Sequence, residues 1–245
     1  MRAIGLALCV ALAGCGGGGD SGPAPVQTAQ TPPVAQAPKC TPVAVPVKVV
    51  LFGDSTMAPT EVTTVLQAQM DARFGAGNVV VVNRARSGTL VDNLLAGEDG
   101  LNPPWPAPLD IEHANVAVVN HAINSMQLQF SQDEYAGKMQ TLVDLSKGHV
   151  NRLIFETPNP DTTAQPFGAQ WKVDALPAYV TTMESVAAKN NLQLIDVNAW
   201  MLAQPDWQTT YMSDGLHPNT AFYDVEIPAL MGPGVAKAVG ELLCQ

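Results

Sequence analysis

The stretch KVVLFGDST, from Lys48 to Thr56, decides the fold prediction because it joins an apolar run to a short polar turn. The run from Lys48 to Phe52 is rich in Val and Leu without clean alternation, which is typical of a strand buried on both faces. Four more runs of this kind follow it: Asn78 to Val82, Asn115 to Asn120, Arg152 to Glu156 and Leu192 to Val197. Together they predict a parallel sheet of about five strands.

Longer amphipathic segments separate these runs and carry apolar residues at helical spacing. They are Pro59 to Arg73, Ser131 to Lys147, Ala175 to Lys189, and much of Ile227 to Leu243, where Pro228, Gly232, Pro233 and Gly234 are expected to interrupt the helix. The alternation predicts an α/β fold, a three-layer α/β/α sandwich around a central parallel sheet. Functional groups of such a fold gather at the carboxyl ends of the strands.

The charge balance argues against one class of partner. The chain has 12 Lys and Arg against 22 Asp and Glu, a formal net charge of -10. This charge repels phosphate backbones, so nucleic acid is not an expected partner. His113, His121 and His149 are not spaced like zinc ligands, and no metal or other cofactor is expected.

Residues 1–14 have the features of a lipoprotein signal peptide. A positively charged start precedes an apolar run that is much shorter than the roughly 20 residues needed to span a bilayer. The string LAGC from Leu12 to Cys15 resembles a bacterial lipobox, which implies cleavage before Cys15 and a lipid on its thiol. The alternative is an ordinary signal peptide with an incidental cysteine. We expect an exported protein anchored to the cell envelope, and Gly16 favours the outer membrane if the host is Gram-negative.

The segment after Cys15 is rich in Gly, Pro, Ala and Gln and has neither a helical nor a strand period. It predicts a tether over residues 15–46, and residues 47–245 are then the folded domain. With Cys15 acylated, Cys40 and Cys244 remain as an even pair in an oxidising compartment. This predicts a disulfide, with two free thiols as the alternative.

Four polar segments contain the chemistry-bearing residues. They are GDST after the first strand, NRARSGT from Asn83, NHAINS from Asn120, and DGLHPN from Asp214 to Asn219. Ser55 lies at the carboxyl end of the first predicted strand, at the start of a turn, and a serine hydroxyl at this place can be a nucleophile.

In this order and at these places, the four segments resemble the sequence blocks of the SGNH/GDSL hydrolase family, over residues 48–243. The resemblance implies a flavodoxin-like SGNH hydrolase fold and esterase activity without a cofactor. It implies that Ser55 is the nucleophile, His217 the base and Asp214 its partner. These residue types agree with acyl transfer, which needs an attacking hydroxyl, a base, and a group that holds the base in one tautomer. It also implies an oxyanion hole made by the backbone N–H groups of Ser55 and Gly88 and by the Asn124 amide.

Three residues depart from the family pattern. The third block usually reads Gly-x-Asn-Asp, whereas this chain has Ala122 and Ser125 at the first and last positions, and Ala85 replaces a common glycine in the second block. Asn124 itself is present. We therefore expect altered packing of this loop with the chemistry retained.

The substrate is less constrained than the reaction. Trp105, Trp171 and Trp207 occur in polar segments, where aromatic faces either stack on sugars or anchor long loops to the domain. The preferred substrate is an O-acetyl group on a glycan, or a related small ester. A lipid or lysophospholipid ester is the alternative within the enzyme class, and a non-catalytic glycan-binding module on the same scaffold is the alternative outside it. The oligomeric state stays open.

Overall fold

A five-stranded parallel sheet forms the centre of the domain in the computed structural model, which describes residues 41–245. The strands are β1 (Val47–Gly53), β2 (Val79–Asn83), β3 (Val116–Asn120), β4 (Arg152–Glu156) and β5 (Gln193–Ile195). Their spatial order is β2-β1-β3-β4-β5, and all neighbours are parallel. The predicted fold class is therefore confirmed. The order reverses between β1 and β3, and the crevice beyond that point is where such sheets bind ligands.

Helices cover both faces of the sheet. They are α1 (Thr60–Phe74), α2 (Val91–Ala96), α3 (Ala107–Glu112), α4 (Ile123–Gln127), α5 (Gln132–Ser146), α6 (Gln170–Lys189), α7 (Val197–Leu202), α8 (Trp207–Thr210), α9 (Thr220–Glu226) and α10 (Gly232–Leu243). Among the described residues, no helix is both long and apolar enough to cross a membrane.

Strand β1 contributes to two apolar cores, one on each side of the sheet. Val49 and Leu51 pack with α1, α9 and α10 on one side. Val50 and Phe52 pack with α5 and α6 on the other. Successive side chains of a strand point to opposite faces, so a strand with an apolar core on each side needs apolar residues at consecutive positions. The run in β1 has this pattern.

Two of the predicted elements, β5 and α6, differ clearly in length from the sequence prediction. Strand β5 ends at Ile195, because the Asp196 side chain accepts a hydrogen bond from the Ala199 backbone N–H (3.0 Å) and so caps α7. Helix α6 begins at Gln170, earlier than the predicted Ala175. Its first turn brings polar residues next to the site described below.

The last helical region is continuous rather than broken. A π-helical turn, Ile227–Met231, joins α9 directly to α10. It absorbs Pro228, which has no N–H to donate and would crowd the preceding turn of an α-helix. The predicted interruption is therefore a local change of helical pitch.

The signal peptide, Cys15 and most of the tether lie outside the described residues, as does Cys40. Cys244 follows α10. The Val43 backbone N–H donates to the Leu242 carbonyl (3.0 Å), so the chain just after Cys40 lies beside the end of α10. The Cys40–Cys244 disulfide and the lipid anchor stay predictions.

Candidate active site

Ser55 and His217 meet at the carboxyl end of β1. His217 Nε2 lies 3.1 Å from Ser55 Oγ, although the two residues are 162 positions apart. Ser55 follows β1 in a tight turn, in which the Met57 backbone N–H donates to the Asp54 carbonyl (3.2 Å). The turn places the hydroxyl beyond the strand end, within hydrogen-bond reach of the imidazole.

Asp214 contacts the other ring nitrogen of His217. Its Oδ2 lies 3.0 Å from His217 Nδ1. Its Oδ1 accepts the backbone N–H groups of Leu216 and His217, at 2.7 Å each. Burial acts to raise the pKa of Asp214, but these two N–H groups and the imidazole together hold it below its ordinary value. The aspartate is thus kept ionised beside the imidazole, as an orienting partner must be.

The segments with Gly88 and Asn124 lie next to the same strand end. The Arg86 backbone N–H donates to the Gly53 carbonyl (2.9 Å), which attaches the loop after β2 to the end of β1. Gly88 has a φ of 79°, a conformation that favours glycine. The Asn124 Nδ2 group donates to the Thr89 carbonyl (2.9 Å), so the two segments also contact each other.

None of the three departures from the family pattern lies at a positive φ, the backbone conformation that favours glycine. Ala122 has a φ of −138°, and its side chain is buried. The Ala85 backbone N–H donates to Asn83 Oδ1 (2.9 Å). Ser125 is buried, and its hydroxyl has no hydrogen-bond partner within residues 41–245. Position 125 therefore supplies no polar brace for the loop.

Buried carboxyl groups surround the nucleophile on its interior side. Asp54 is fully buried and accepts the backbone N–H and the hydroxyl of Thr56 (3.0 Å each), yet burial raises its pKa to about 6. Glu156 accepts the Asn120 amide (3.1 Å), and burial raises its pKa to about 8. Burial, with the charge of Glu156, also raises the pKa of Glu226 well above its ordinary value.

Glu156 and Glu226 share a small cavity with Asn120 and Asn159. Most of the other side chains that line it are apolar. Each of the four has one buried side-chain oxygen without a hydrogen-bond partner in the described part of the chain. An ionised carboxylate has only acceptor atoms, so ionising both glutamates would leave these buried oxygens charged and without hydrogen-bond donors. The raised pKa values of Glu156 and Glu226 agree with this.

Three site residues were not predicted from the sequence. The Phe167 ring packs edge-on against the His217 ring, with centroids 5.4 Å apart, and remains 48% exposed. Gln127 donates from Nε2 to Asn124 Oδ1 (3.2 Å), and Lys172 donates from Nζ to Gln127 Oε1 (3.0 Å). The three-residue spacing of Asn124 and Gln127 on one helix is a signal from which the contact between them could have been predicted.

The three tryptophans have different environments. Trp105 is 4% exposed, and its indole N–H donates to Leu142 O and Ser146 Oγ, at 3.1 Å each. It therefore anchors a loop and is not available to stack on a sugar. Trp207 packs partly against the core, whereas Trp171 is 44% exposed at the start of α6.

The residues that the structure describes contain no group of three or more His, Cys, Asp or Glu side chains placed to hold a metal ion. The chemistry available from these side chains is proton transfer and nucleophilic attack by the hydroxyl that His217 contacts.

The family assignment rests on a match over most of the chain. A family model described as the GDSL-like Lipase/Acylhydrolase family matches residues 51–225, a range that begins in β1 and ends in α9. The chain belongs to this family. No curated protein matches the sequence of this chain.

Solved structures share the fold of this chain at low sequence identity. An acetylxylan esterase, Axe2 from Geobacillus stearothermophilus, is 18% identical, with a TM-score of 0.62 over 79% of this chain and 94% of that one. A lipase/acylhydrolase from Enterococcus faecalis is 20% identical, with a TM-score of 0.60 over 79% and 95%. LAE5, an alpha/beta hydrolase enzyme from the metagenome of Lake Arreo, Spain, is 20% identical, with a TM-score of 0.60 over 82% and 98%.

Proposed function

We propose that this protein is a serine esterase that cleaves carboxylic esters through Ser55, His217 and Asp214. The observation that carries the proposal is the continuous chain of contacts from Ser55 Oγ to His217 Nε2 (3.1 Å) and from His217 Nδ1 to Asp214 Oδ2 (3.0 Å). His217 takes the proton of Ser55 as the hydroxyl attacks the ester carbonyl, and then gives it to the leaving alcohol, so that the acyl group is left on Ser55 Oγ. Water gives a proton to His217 as it attacks this acyl group, and Ser55 regains that proton as the acid is released. Asp214 keeps the imidazole in the required tautomer and stabilises the imidazolium.

Negative charge develops on the carbonyl oxygen during this attack. We assign its stabilisation to the backbone N–H groups of Ser55 and Gly88 and to the Asn124 amide. The Asn124 amide nitrogen has two hydrogens, and the Thr89 carbonyl accepts one of them. Its second hydrogen remains for the substrate oxygen. In other serine hydrolases the loss of one such donor costs about 2.7–4 kcal/mol of barrier.

The proposed substrate is a short acyl ester, an O-acetyl group on a carbohydrate. Two observations support it: the exposed aromatic ring of Phe167, which packs against His217, and a fold shared with an acetylxylan esterase. A longer acyl or lipid ester is the second candidate, which the match to a family of lipases and acylhydrolases favours. Rates on p-nitrophenyl esters of increasing chain length, followed by acetylated oligosaccharides, separate the two.

The Ser55→Ala variant tests the catalytic assignment. Ester hydrolysis is expected to fall by at least about a thousandfold, because the variant lacks the attacking atom, while the unfolding temperature stays close to that of the wild type. The control is Ser185→Ala, which removes an exposed hydroxyl on α6. Near-normal turnover by Ser55→Ala overturns the assignment. Glycan binding by a wild-type protein that hydrolyses no ester supports the non-catalytic module instead.

We also propose that the mature protein is exported and held at a membrane by a lipid on Cys15. The sequence around Leu12 to Cys15 and the Gly- and Pro-rich segment after it support this proposal. The Cys15→Ser variant is expected to move from the membrane fraction to the soluble exported fraction. Unchanged partition into detergent contradicts the anchor.

A further inference from the structure

We infer that Lys172 is a positioning residue, which orients the Asn124 amide through Gln127. The inference rests on the proposed function, because it assigns Asn124 to the oxyanion hole. Lys172 lies in the first turn of α6, where the helix dipole disfavours a cation. Its position is explained by what its ammonium group contacts.

The first set of contacts is a directed chain of hydrogen bonds. Lys172 Nζ donates to Gln127 Oε1 (3.0 Å), and Gln127 Nε2 donates to Asn124 Oδ1 (3.2 Å). The ammonium group of Lys172 can only donate, so it must contact the oxygen of the Gln127 amide. The nitrogen of that amide, Nε2, is then the atom that faces Asn124. Gln127 in turn fixes the Asn124 amide with Nδ2 on the opposite side, where it donates to the Thr89 carbonyl (2.9 Å).

The charge of Lys172 adds to this orientation. Each hydrogen bond in a directed chain polarises the next, so the ammonium strengthens the donor character of Asn124 Nδ2. An oxyanion donor acts most strongly when it is oriented before the reaction begins. The chain Lys172–Gln127–Asn124 meets this requirement at α4, where the Ser125 hydroxyl makes no hydrogen bond among the described residues.

The second contact of Lys172 is with the loop that precedes α6. Its Nζ also donates to the Phe167 carbonyl (2.8 Å). The ring of Phe167 packs edge-on against the His217 ring, at 5.4 Å and 89°. The Lys172 ammonium group thus contacts both Gln127, which binds the proposed oxyanion donor Asn124, and the Phe167 backbone, whose side chain packs against the base His217.

The decisive experiment is a double-mutant cycle of Lys172→Met with Asn124→Ala, measured as kcat and KM on a small p-nitrophenyl ester. Lys172→Met keeps most of the side-chain length and removes the donors and the charge. It is expected to lower kcat about tenfold and to change KM by less than about twofold, because the lost interaction acts in the transition state. In the Asn124→Ala background the same change is expected to alter kcat by less than about twofold.

Two further variants supply an independent test of the connection to Asn124 and a matched control. Gln127→Leu breaks only the connection to Asn124 and is expected to reproduce most of the kcat loss of Lys172→Met. It also serves as the test if Lys172→Met fails to fold. Lys189→Met removes an exposed lysine at the other end of α6 and is the matched control, with kcat expected to stay unchanged.

The outcomes separate this inference from the proposed function. If Asn124→Ala or Ser55→Ala keeps normal activity, the proposed function fails, and the inference fails with it. If both lose activity but Gln127→Leu retains the wild-type kcat, only the inference is overturned. An equal loss from Lys172→Met in both backgrounds also overturns it, because Lys172 then acts independently of Asn124.

Discussion

At the scale of single residues, Glu156 shows how burial shapes the interior side of the site. It is 6% exposed, accepts one hydrogen bond from Asn120, and has a second oxygen without a partner in the described region. Burial is the largest cause of its raised pKa, and the charge of Asp54 adds to it. The folded protein therefore favours the protonated form of Glu156.

This shift predicts how stability depends on pH. A carboxyl whose folded pKa lies above its unfolded value favours the folded state most at low pH, and that contribution is lost as pH rises. For Glu156 the loss extends from its ordinary value of 4.5 to about 8. The lowered pKa of Asp214 has the opposite effect, since its contribution is lost as pH falls.

We predict that Glu156→Gln makes the free energy of unfolding less dependent on pH. The neutral amide has the same shape and does not ionise, so the decrease in stability between about pH 5 and pH 8 becomes smaller. Urea titrations across this range measure it. Glu98→Gln, at an exposed position, is the control. An unchanged pH profile in Glu156→Gln contradicts the prediction.

At the scale of secondary-structure elements, Trp105 connects the loop before α3 with helix α5 and strand β1. Its indole N–H donates to Leu142 O and Ser146 Oγ on α5. Its ring packs edge-on against Phe52, with centroids 5.0 Å apart and an interplanar angle of 85°. Phe52 lies in the strand that precedes Ser55, so this packing supports the scaffold of the site.

We predict that Trp105→Phe lowers the free energy of unfolding by about 1–3 kcal/mol, through the lost hydrogen bonds and the unfilled volume. The kcat is expected to change by less than about twofold, because Trp105 contacts none of Ser55, Asp214 or His217. Trp171→Phe, at a 44% exposed position, is the control and is expected to leave stability almost unchanged. Equal effects of the two substitutions on stability show that Trp105 is not an anchor.

At the scale of the whole molecule, the start and the end of the described chain lie side by side. The hydrogen bond from Val43 N–H to Leu242 O (3.0 Å) joins them. Cys40 precedes this contact and Cys244 follows it in sequence. A bond between the two cysteines closes a loop of about 200 residues, for which chain entropy allows roughly 5 kcal/mol of stabilisation at most.

We predict that a reductant lowers the unfolding temperature of the exported protein without changing its kcat. The two cysteines lie outside the segments that contain Ser55, Gly88, Asn124 and His217. The Cys40→Ser variant is expected to unfold at the lower temperature with or without reductant. Two alkylated thiols, found by mass spectrometry of the non-reduced protein, rule the disulfide out.

The sequence by itself determined the fold class, the strand positions and the residues that meet at the candidate triad. An apolar run indicates a strand that is buried on both faces, and apolar residues at helical spacing indicate a helix that is buried on one face. Both patterns lie within short segments of the sequence. Ser55, Asp214 and His217 were identified because they occur in short segments with recognisable residue order. The tertiary structure then placed Ser55 and His217 in contact across 162 positions.

Only the tertiary structure decided which side chains support the site. No local sequence pattern shows the contacts of Lys172, the burial of Glu156 and Glu226, or the anchoring by Trp105. The continuity of α9 with α10 is likewise absent from such patterns. Each depends on how loops and helices pack against one another across long sequence separations. Hydrophobic periodicity specifies which face of an element is buried, but it does not specify which polar group lies opposite a given side chain. That choice is made by the packed geometry, because a buried polar atom is stabilised only by a partner at hydrogen-bond distance.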